Sequence, residues 1–336
     1  MTFSITEIVE LLAGSNDEWL FSEALKAKES IYGREVFLRG IIEHSNYCRN
    51  DCLYCGLRVS HKCLRYRLDE DTVIAAAHTI VNNGISSIVL QAGEDYSNEN
   101  IAFLDRIIPR IKEATGADIT LSHGNFPREV YARWKALGAN RYLLKLETLQ
   151  AQLHSTARPH DSKDNRLEHL QYLLKLGYQV GSGFIAGMPG YTDKMLAEDM
   201  LELSRLGVHM FSLSPFIATP DTPWENEKNC NADTIYRATA IYRLLDPQVN
   251  IPVTNALNVL DDKHARSLGL KRGCNVVMHS FTPQENRAQY EIYPGKGTVG
   301  MESLESLSSL KNEISALGLH VTEHEPGRSK KEILYG

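Results

Sequence analysis

The chain alternates short apolar runs with amphipathic stretches from residue 35 to about residue 280. We predict eight strands there, at 36–42, 87–91, 118–122, 141–147, 179–185, 210–216, 251–254 and 274–278. Strands that alternate with helices run parallel, because each helix returns the chain to the edge where the strand began. Eight such units predict an α/β fold, a closed (β/α)8 or TIM barrel. An open doubly wound sheet is the alternative.

Three segments are expected. Residues 1–34 show apolar residues at helical spacing and predict two N-terminal helices, broken near Gly14–Asp17 with Ser15 or Asn16 as a cap. We expect them to form a lid or plug on the barrel of residues 35–300. Residues 301–336 predict a C-terminal helix, at 304–317, and a polar tail packed on the outside of the barrel.

Charge and hydropathy exclude several classes of protein. The 336 residues carry a net charge of −6, which gives no reason to expect nucleic acid as a partner. No apolar run approaches the roughly 20 residues of a spanning helix, and the start of the chain lacks the features of a signal peptide. We therefore predict a cytoplasmic protein without a membrane partner.

Six cysteines are present, and three of them, Cys48, Cys52 and Cys55, are spaced C-x3-C-x2-C directly after the first predicted strand. A disulfide framework is not expected in a reducing compartment. Three thiolates can bind a metal centre and leave one coordination position open. A zinc ribbon would need a second cysteine pair or a histidine partner, and neither follows. Cys230 and Cys274 are expected to be buried, as is Cys63, which could instead lie near the metal.

The C-x3-C-x2-C loop, with Tyr54 before its last cysteine, resembles that of the radical S-adenosylmethionine enzymes. In these enzymes three thiolates hold a 4Fe-4S cluster, and S-adenosyl-L-methionine chelates the fourth iron. Further phrases resemble the biotin synthase branch and, within it, the HydE maturases of diiron hydrogenase. These phrases are His44–Cys48, Val89–Asp95, Arg158-Pro159, Gly187–Gly190, Gly273–Met278 and Tyr293–Lys296. The resemblance spans roughly residues 35–300.

The resemblance implies roles for individual residues. Cys48, Cys52 and Cys55 would ligate the cluster. The cofactor site would comprise Tyr54, Gly93, Glu94, Asp95, Ser122, Glu147, Arg166, Met188 and Pro189. Within that set, residues 93–95 would meet the ammonium of S-adenosylmethionine, Glu147 the ribose hydroxyls and Arg166 the methionine carboxylate. Tyr54, Met188 and Pro189 would lie beside the adenine.

Substrate residues are expected inside the barrel, and the candidates are Thr120, Arg141, Lys145, Thr254, Asn255, His279 and Tyr290. Alternate residues of a strand share a face, so Arg141 and Lys145 should point inward together with Glu147. Two such cations predict a lumen that binds an anion. The alternative is that these residues form internal ion pairs.

The resemblance implies reductive cleavage of S-adenosylmethionine to methionine and a 5′-deoxyadenosyl radical. The substrate would be small and anionic, or a cysteine-bound organoiron complex as in hydrogenase maturation, with a ferredoxin or flavodoxin as electron donor. A methylornithine synthase-like enzyme is one alternative, and a non-enzymatic iron-sulfur carrier or sensor is another. Two positions depart from the HydE pattern, Leu146 after Lys145 and Asn125, and both are expected to touch the lumen or its rim.

Overall fold

The computed structural model describes residues 1–297 and 304–331. Its strands overlap each of the eight predicted runs, and a ninth short strand was not predicted. The strands are β1 Glu35–Ser45, β2 Ser87–Ala92, β3 Asp118–Ser122, β4 Ala139–Leu143, β5 Gln179–Ala186, β6 Met210–Pro215, β7 Pro252–Val253, β8 Val276–Ser280 and β9 His320–Val321.

The first eight strands form one parallel sheet in the order β6-β5-β4-β3-β2-β1-β8-β7. The two ends of this order meet where Met210 and Asn250 form a parallel bridge. There, Phe211 N–H donates to Asn250 O at 2.9 Å, and Asn250 N–H donates to His209 O at 3.0 Å. The sheet is therefore a nearly closed barrel, so the barrel prediction is confirmed and the open sheet is excluded.

Helices follow most strands and cover the outside of the barrel. They are α1 Ile5–Leu12, α2 Asp17–Tyr32, α3 Glu70–Asn82, α4 Asn98–Thr115, α5 Arg128–Ala136, α6 Ala151–Ala157, α7 Lys163–Lys175, α8 Asp193–Arg205, α9 Ala232–Leu245, α10 Asn255–Leu260, α11 Ala265–Lys271, α12 Gln284–Arg287 and α13 Leu304–Ala316. Polar caps fix several starts; Ser97 Oγ, for example, accepts from Asn100 N–H at 3.2 Å at the start of α4. In residues 1–297 and 304–331, no helix is long and apolar enough to cross a membrane.

The two N-terminal helices are present, but they do not form a lid or plug. Asn16 caps α2, as one of the two predicted options, by accepting from Trp19 N–H. Helix α1 packs on α8 and α9, and α2 packs on α9. The apolar face of α1 is buried against the outer layer of helices. An ion pair of 2.8 Å between Asp17 and Arg237 joins α2 to α9. The predicted lid is therefore wrong.

The C-terminal tail crosses the N-terminal end of the barrel. Strand β9 pairs with the first residues of β1. Arg328 binds Asp118 through two contacts of 2.9 and 3.0 Å, and Pro326 O accepts from Arg141 Nη2 at 2.7 Å. This packing covers that end and leaves the opposite end, where the parallel strands terminate, for a ligand site. The predicted boundary between residues 300 and 301 lies outside the described residues.

Candidate active site

One cavity of about 270 Å³ lies inside the barrel and reaches the C-terminal ends of its strands. It brings together most of the predicted site residues: Cys48, Cys52, Tyr54, Cys55, Gly93, Glu94, Thr120, Ser122, Lys145, Glu147, Arg166, Thr254, Asn255 and Tyr290. Five others, Asp95, Arg141, Met188, Pro189 and His279, are not part of its lining. Chemistry in a parallel barrel is expected at this end, where residues from different strands converge.

The three clustered cysteines lie in the loop after β1, and none of them forms a disulfide. Burial raises the pKa of Cys52 to about 11 and also raises the pKa values of Cys48 and Cys55. Two sulfur atoms face hydrogen-bond donors: Arg158 Nη1 lies 3.4 Å from Cys52 Sγ, and Leu57 N–H donates to Cys55 Sγ at 3.4 Å. The loop therefore presents one buried and two half-buried thiols, and N–H groups point at the sulfur atoms of Cys52 and Cys55.

These three cysteines fit an iron-sulfur cluster, because thiolates are the ligands that such clusters take. Among the described residues, no three His, Cys, Asp or Glu side chains are arranged to hold one metal ion. The donor set is instead three thiols on the wall of one cavity. Cysteine thiolates hold iron-sulfur clusters, and hydrogen bonds to sulfur tune their potentials. Three cysteine ligands would leave one iron of a 4Fe-4S cluster accessible from the cavity.

Two glycines allow the cysteine loop to pack closely against its neighbours. A Cβ atom on Gly93 would lie 2.3 Å from Tyr47 O and 2.8 Å from Cys48 Cβ. A Cβ atom on Gly56 would lie 2.2 Å from Glu291 O. Any other residue would push the loop away from the end of β2 or from the segment at residue 291. Gly93 thus allows the loop to pack closely because it is small, and its contact with an ammonium group stays a prediction.

The carboxylate of Glu94 is already engaged by protein groups. Its Oε1 lies 2.9 Å from Arg158 Nη2 and 3.0 Å from Arg166 Nη2, and Tyr96 Oη donates to Oε2 at 2.6 Å. Burial alone would raise the pKa of Glu94, but the charges of Arg166 and Arg158 lower it below its ordinary value. Glu94 is therefore ionised, and it holds two guanidinium groups beside the cysteines.

Asp161 completes this buried network of charges. Its Oδ2 lies 3.2 Å from Arg158 Nη2 and 3.3 Å from Arg166 Nη1. Two arginines thus face two carboxylates, Glu94 and Asp161, with all four side chains at most 12% exposed. We assigned no role to Arg158 from the sequence, although the Arg158-Pro159 phrase was available as a signal.

Asp95 lies outside the cavity. Its carboxylate contacts Arg67 Nη2 at 2.7 Å and Arg49 Nε at 3.8 Å. Its Oδ1 also accepts from Ser97 N–H, directly before α4. The structure therefore places Asp95 behind the cysteine loop as a partner of two arginines, away from the predicted contact with an ammonium group.

Glu147 combines an unusual backbone with a carboxylate oxygen that accepts no hydrogen bond. Its φ is 64°, which is left-handed and costs a non-glycine residue about 1–3 kcal/mol. The backbone is held in place because Glu147 N–H donates to Gly183 O and Ile185 N–H donates to Glu147 O, both at 3.0 Å. Glu147 Oε2 is buried without a hydrogen-bond partner, and Lys145 Nζ lies 3.4 Å away. The strained turn thus aims an acceptor into the cavity.

Deeper in the barrel, Arg39 and Thr120 present polar atoms without partners. Arg39 is 1% exposed, its Nη1 contacts Met210 Sδ at 2.9 Å, and its Nε has no hydrogen-bond partner. Thr120 Oγ1 also lacks a partner. Burial, aided by nearby Arg141, lowers the pKa of Arg39 to about 9. We did not single out Arg39 from the sequence, because one charge inside an apolar run gives no sign of which way it points.

The other wall contains a second buried ion pair. Lys296 Nζ lies 2.6 Å from Glu43 Oε1, and the two side chains are 5% and 0% exposed. Gln91 Nε2 donates to Tyr290 Oη at 3.3 Å, so the segment that carries Tyr290 and Lys296 is tied to β1 and β2. Lys296 lines the cavity but was not predicted to, although the Tyr293–Lys296 phrase contained it.

Arg141 points inward, as strand parity predicts, but it lies near the opposite end of the barrel. It donates to Ser87 Oγ at 2.7 Å and pairs with Asp118 at 3.0 Å. This internal ion pair is the alternative that the sequence left open. His279 is absent from the cavity lining for a different reason. Its neighbour Met278 lines the cavity, and the centre of the His279 ring lies 5.1 Å from the centre of the Phe281 ring.

Met188 and Pro189 follow β5 but do not reach the cavity. Met188 is buried in the apolar core, with 2% exposure. Pro189 lines a separate cavity on the rim. Neither residue lines the cavity that contains the cysteines, where we predicted both to lie beside an adenine.

The two departures from the HydE pattern lie outside the cavity lining as well. Leu146 is fully buried in the apolar core, between inward-facing Lys145 and Glu147. Asn125 lies behind the arginine network, where its Oδ1 accepts from Arg166 Nη1 at 3.3 Å and its Nδ2 lies 3.4 Å from Asp161 Oδ1. The expected effect of Leu146 on the lumen is therefore not supported by its position, whereas Asn125 can act through Arg166.

Comparison with known proteins agrees with this geometry. The model of the radical SAM superfamily matches residues 42–203. The FeFe-hydrogenase maturase subunit HydE of Thermotoga maritima is 40% identical over 93% of this chain and 88% of its own length. The 3-methylornithine synthase of Methanosarcina barkeri is 26% identical over 82% of this chain and 78% of its own length.

Among solved structures, methylornithine synthase (PylB) superimposes with a TM-score of 0.83 at 22% identity, covering 96% of this chain and 94% of that chain. At this identity the match shows a shared barrel fold. The region that the superfamily model matches, residues 42–203, begins within β1 and includes the three cysteines, the arginine network and Glu147. Such enzymes use a 4Fe-4S cluster and S-adenosylmethionine, and the chain belongs to the radical SAM superfamily and, within it, to the family of the HydE proteins.

Proposed function

We propose that this enzyme cleaves S-adenosylmethionine reductively and directs the resulting 5′-deoxyadenosyl radical at a small anionic substrate in hydrogenase maturation. The observation that carries the proposal is that three thiols and Glu147 Oε2, a buried oxygen that accepts no hydrogen bond, line one cavity. The 40% identity to the HydE protein of T. maritima supports the maturation role.

The bound cluster would supply one electron that breaks a carbon–sulfur bond of S-adenosylmethionine, giving methionine and the radical. Cys48, Cys52 and Cys55 would hold the cluster. Glu147 Oε2 would accept hydrogen bonds from hydroxyl groups of the cofactor. Arg166 forms ion pairs with Glu94 and Asp161, but it also lines the cavity. Its guanidinium group would therefore attract the cofactor carboxylate.

The barrel interior supports an anionic substrate. Arg39 forms no ion pair among the described residues. Lys145 Nζ donates to Ser214 Oγ at 3.1 Å and lies 3.4 Å from Glu147 Oε2. A buried cation without an anionic partner is costly, so an anionic ligand would stabilise this arrangement. Thr120, Ser122, Thr254, Asn255 and Tyr290 would supply neutral hydrogen-bonding groups around that ligand. A cysteine-bound organoiron complex or another amino acid derivative would satisfy this requirement.

The proposal is tested by anaerobic reconstitution with iron and sulfide, followed by dithionite and S-adenosylmethionine. We expect 5′-deoxyadenosine and methionine to form in equal amounts. If a cluster-loaded protein forms no 5′-deoxyadenosine, the enzyme is not of this type, and an iron-sulfur carrier or sensor is the better description. Complementation of a hydrogenase-maturation strain that lacks HydE then tests the biological role.

Cofactor cleavage without complementation would favour the second candidate, a methylornithine synthase-like reaction. The observation behind this candidate is the 26% identity to 3-methylornithine synthase over 82% of this chain, together with a lumen suited to amino acid carboxylates. Mass spectrometry of a reaction with candidate amino acids would separate the two functions.

Glu147→Gln is expected to weaken binding of S-adenosylmethionine by about 10- to 100-fold, because hydrogen bonds to a charged acceptor contribute about 1.5–3 kcal/mol. The substitution keeps the shape of the side chain and removes its charge. Equilibrium dialysis with the radiolabelled cofactor measures the effect, and iron content should not change. Glu198→Gln, on the exposed side of α8, is the matched control and should bind normally. Unchanged affinity in Glu147→Gln would contradict its proposed role.

A further inference from the structure

The backbone on the two sides of Glu147 is held in two different ways. Glu147 itself bonds to the main chain of β5, through Gly183 and Ile185. The residues that follow it, 148–150, belong to no strand or helix, so regular backbone pairing does not support them. A non-glycine residue keeps a left-handed backbone only where its surroundings fix it. The segment after Glu147 therefore needs another support.

One carboxylate on α8 supplies that support. Asp199 Oδ2 accepts from Thr148 Oγ1 at 2.7 Å and from Leu149 N–H at 2.8 Å. Asp199 Oδ1 accepts from Gln150 Nε2 at 2.7 Å. Three consecutive residues directly after Glu147 thus donate to the same side chain, and this fixes the exit of the chain from the strained turn.

Asp199 holds a second loop of the barrel rim as well. Tyr191 Oη donates to Asp199 Oδ2 at 2.6 Å. Tyr191 N–H donates to Met188 O at 2.9 Å, so this ring is anchored in the loop that follows β5. The loops after β4 and after β5 therefore meet at one carboxylate, and a movement of either loop away from Asp199 would break a hydrogen bond.

The position of Asp199 indicates a support rather than a ligand contact. Asp199 does not line the cavity that contains the cysteines, and it is 1% exposed. Among the described residues, its hydrogen-bond partners are neutral donors and not cations. A buried carboxylate without a cation costs folding free energy, which these charge-assisted hydrogen bonds offset. Such bonds are stronger than neutral ones, so the support is stiff.

We propose that Asp199 is a positioning residue for S-adenosylmethionine, and that it acts by fixing the direction of the Glu147 carboxylate. This inference rests on the proposed function, in which Glu147 Oε2 accepts hydrogen bonds from hydroxyl groups of the cofactor. Hydrogen bonds weaken steeply as their angle departs from linearity, so a loosened turn lowers affinity even when Glu147 is intact. Asp199 thus influences a ligand that it does not touch.

The test is a double-mutant cycle in which equilibrium dialysis measures the Kd of S-adenosylmethionine for the cluster-loaded enzyme. Asp199→Asn keeps the shape of the side chain but removes its charge and one acceptor oxygen. We expect Kd to rise about tenfold when Glu147 is present, and less than about threefold in the Glu147→Gln background, where the charge to be positioned is already lost. Glu202→Gln, a half-exposed residue of the same helix, is the control and should bind like the wild-type protein.

Tyr191→Phe is a gentler variant that removes only the hydroxyl group joining the second loop to Asp199. We expect Kd to rise about threefold with Glu147 present, the scale of one hydrogen bond of about 0.5–1.5 kcal/mol, and to stay unchanged in the Glu147→Gln background. Because this change removes one oxygen atom from a half-buried side chain, it keeps the test valid if Asp199→Asn fails to fold.

Thermal unfolding and iron content separate positioning from damage to the fold. Asp199→Asn should lower Tm equally in both backgrounds and leave iron content unchanged, while the tenfold loss of affinity appears only when Glu147 is present. Equal losses of affinity in both backgrounds would overturn the positioning role alone, because a purely structural effect does not depend on Glu147. Loss of iron would overturn it too, by placing the effect at the cysteine loop. An unchanged Kd in Glu147→Gln itself would instead contradict the proposed function.

Discussion

Cys52→Ala is expected to lower formation of 5′-deoxyadenosine by about three orders of magnitude or more, the scale of losing a group on which the chemistry depends. Cys52 is 6% exposed and lines the same cavity as the other two thiols. With only two thiolates, the loop can no longer hold a 4Fe-4S cluster that leaves a single iron open. Iron and sulfide assays should show that the reconstituted cluster is lost, along with its absorbance.

Cys63→Ala is the matched control for this result. Cys63 follows Cys55 closely in the sequence, but it does not line the cavity, and its described hydrogen bond is from its main-chain N–H to His61 O. We expect normal iron content and normal activity. Loss of the cluster in Cys63→Ala would show that the ligand set is wrong, while retention of a full cluster in Cys52→Ala would contradict the three-cysteine assignment.

The barrel could be predicted from the sequence because each strand is an apolar run followed by an amphipathic helix, and these patterns depend on local spacing. The surroundings of the barrel depend on long-range packing instead. Helix α1 has an apolar face that could cover several surfaces, and its sequence does not show that α8 and α9 receive it. Likewise, nothing local indicates that Arg328 crosses the end of the barrel to reach Asp118.

Strand parity accounts for both the successes and the failures inside the barrel. It correctly placed Lys145, Glu147 and Arg141 on the inward face, but parity carries no information about depth. Six residues at about 3.3 Å each separate Arg141 from Glu147 by about 20 Å along an extended chain, enough to move it from the cavity to the barrel's other end. His279 was expected just after the end of a strand at 274–278, but β8 runs from Val276 to Ser280. Met278 lines the cavity, so the next residue, His279, faces the other side of the sheet.

The arginine network was the part of the site least accessible from the sequence. Glu94, Arg158, Asp161 and Arg166 come from different loops and helices, and only the fold brings their charges together. The sequence could suggest Arg166 through a resemblance, but it could not show that Glu94 would be used to hold both arginines. The charges of this network balance only in the folded protein. We therefore expect the second large effect when one of its arginines is removed.

Arg166→Ala is expected to weaken binding of S-adenosylmethionine by about 100-fold while leaving iron content unchanged. The substitution removes one of two cations that face Glu94 and Asp161, so the network changes from neutral to a net charge of −1 beside the cavity. Truncating one partner of a buried charge pair typically costs about 2–5 kcal/mol in binding. Equilibrium dialysis measures the affinity, and thermal unfolding shows how much of the loss reflects a weaker fold.

Asp161→Asn in the Arg166→Ala background separates charge from shape, because it restores the neutral balance without returning a guanidinium group. If electrostatic repulsion contributes to the loss, this double variant should recover roughly tenfold of the affinity, since about 1.4 kcal/mol corresponds to a factor of ten. Arg128→Ala, on the exposed side of α5, should bind like the wild-type protein. Iron loss in Arg166→Ala would instead mean that Arg166 supports the cysteine loop, and an unchanged affinity would remove it from the cofactor site.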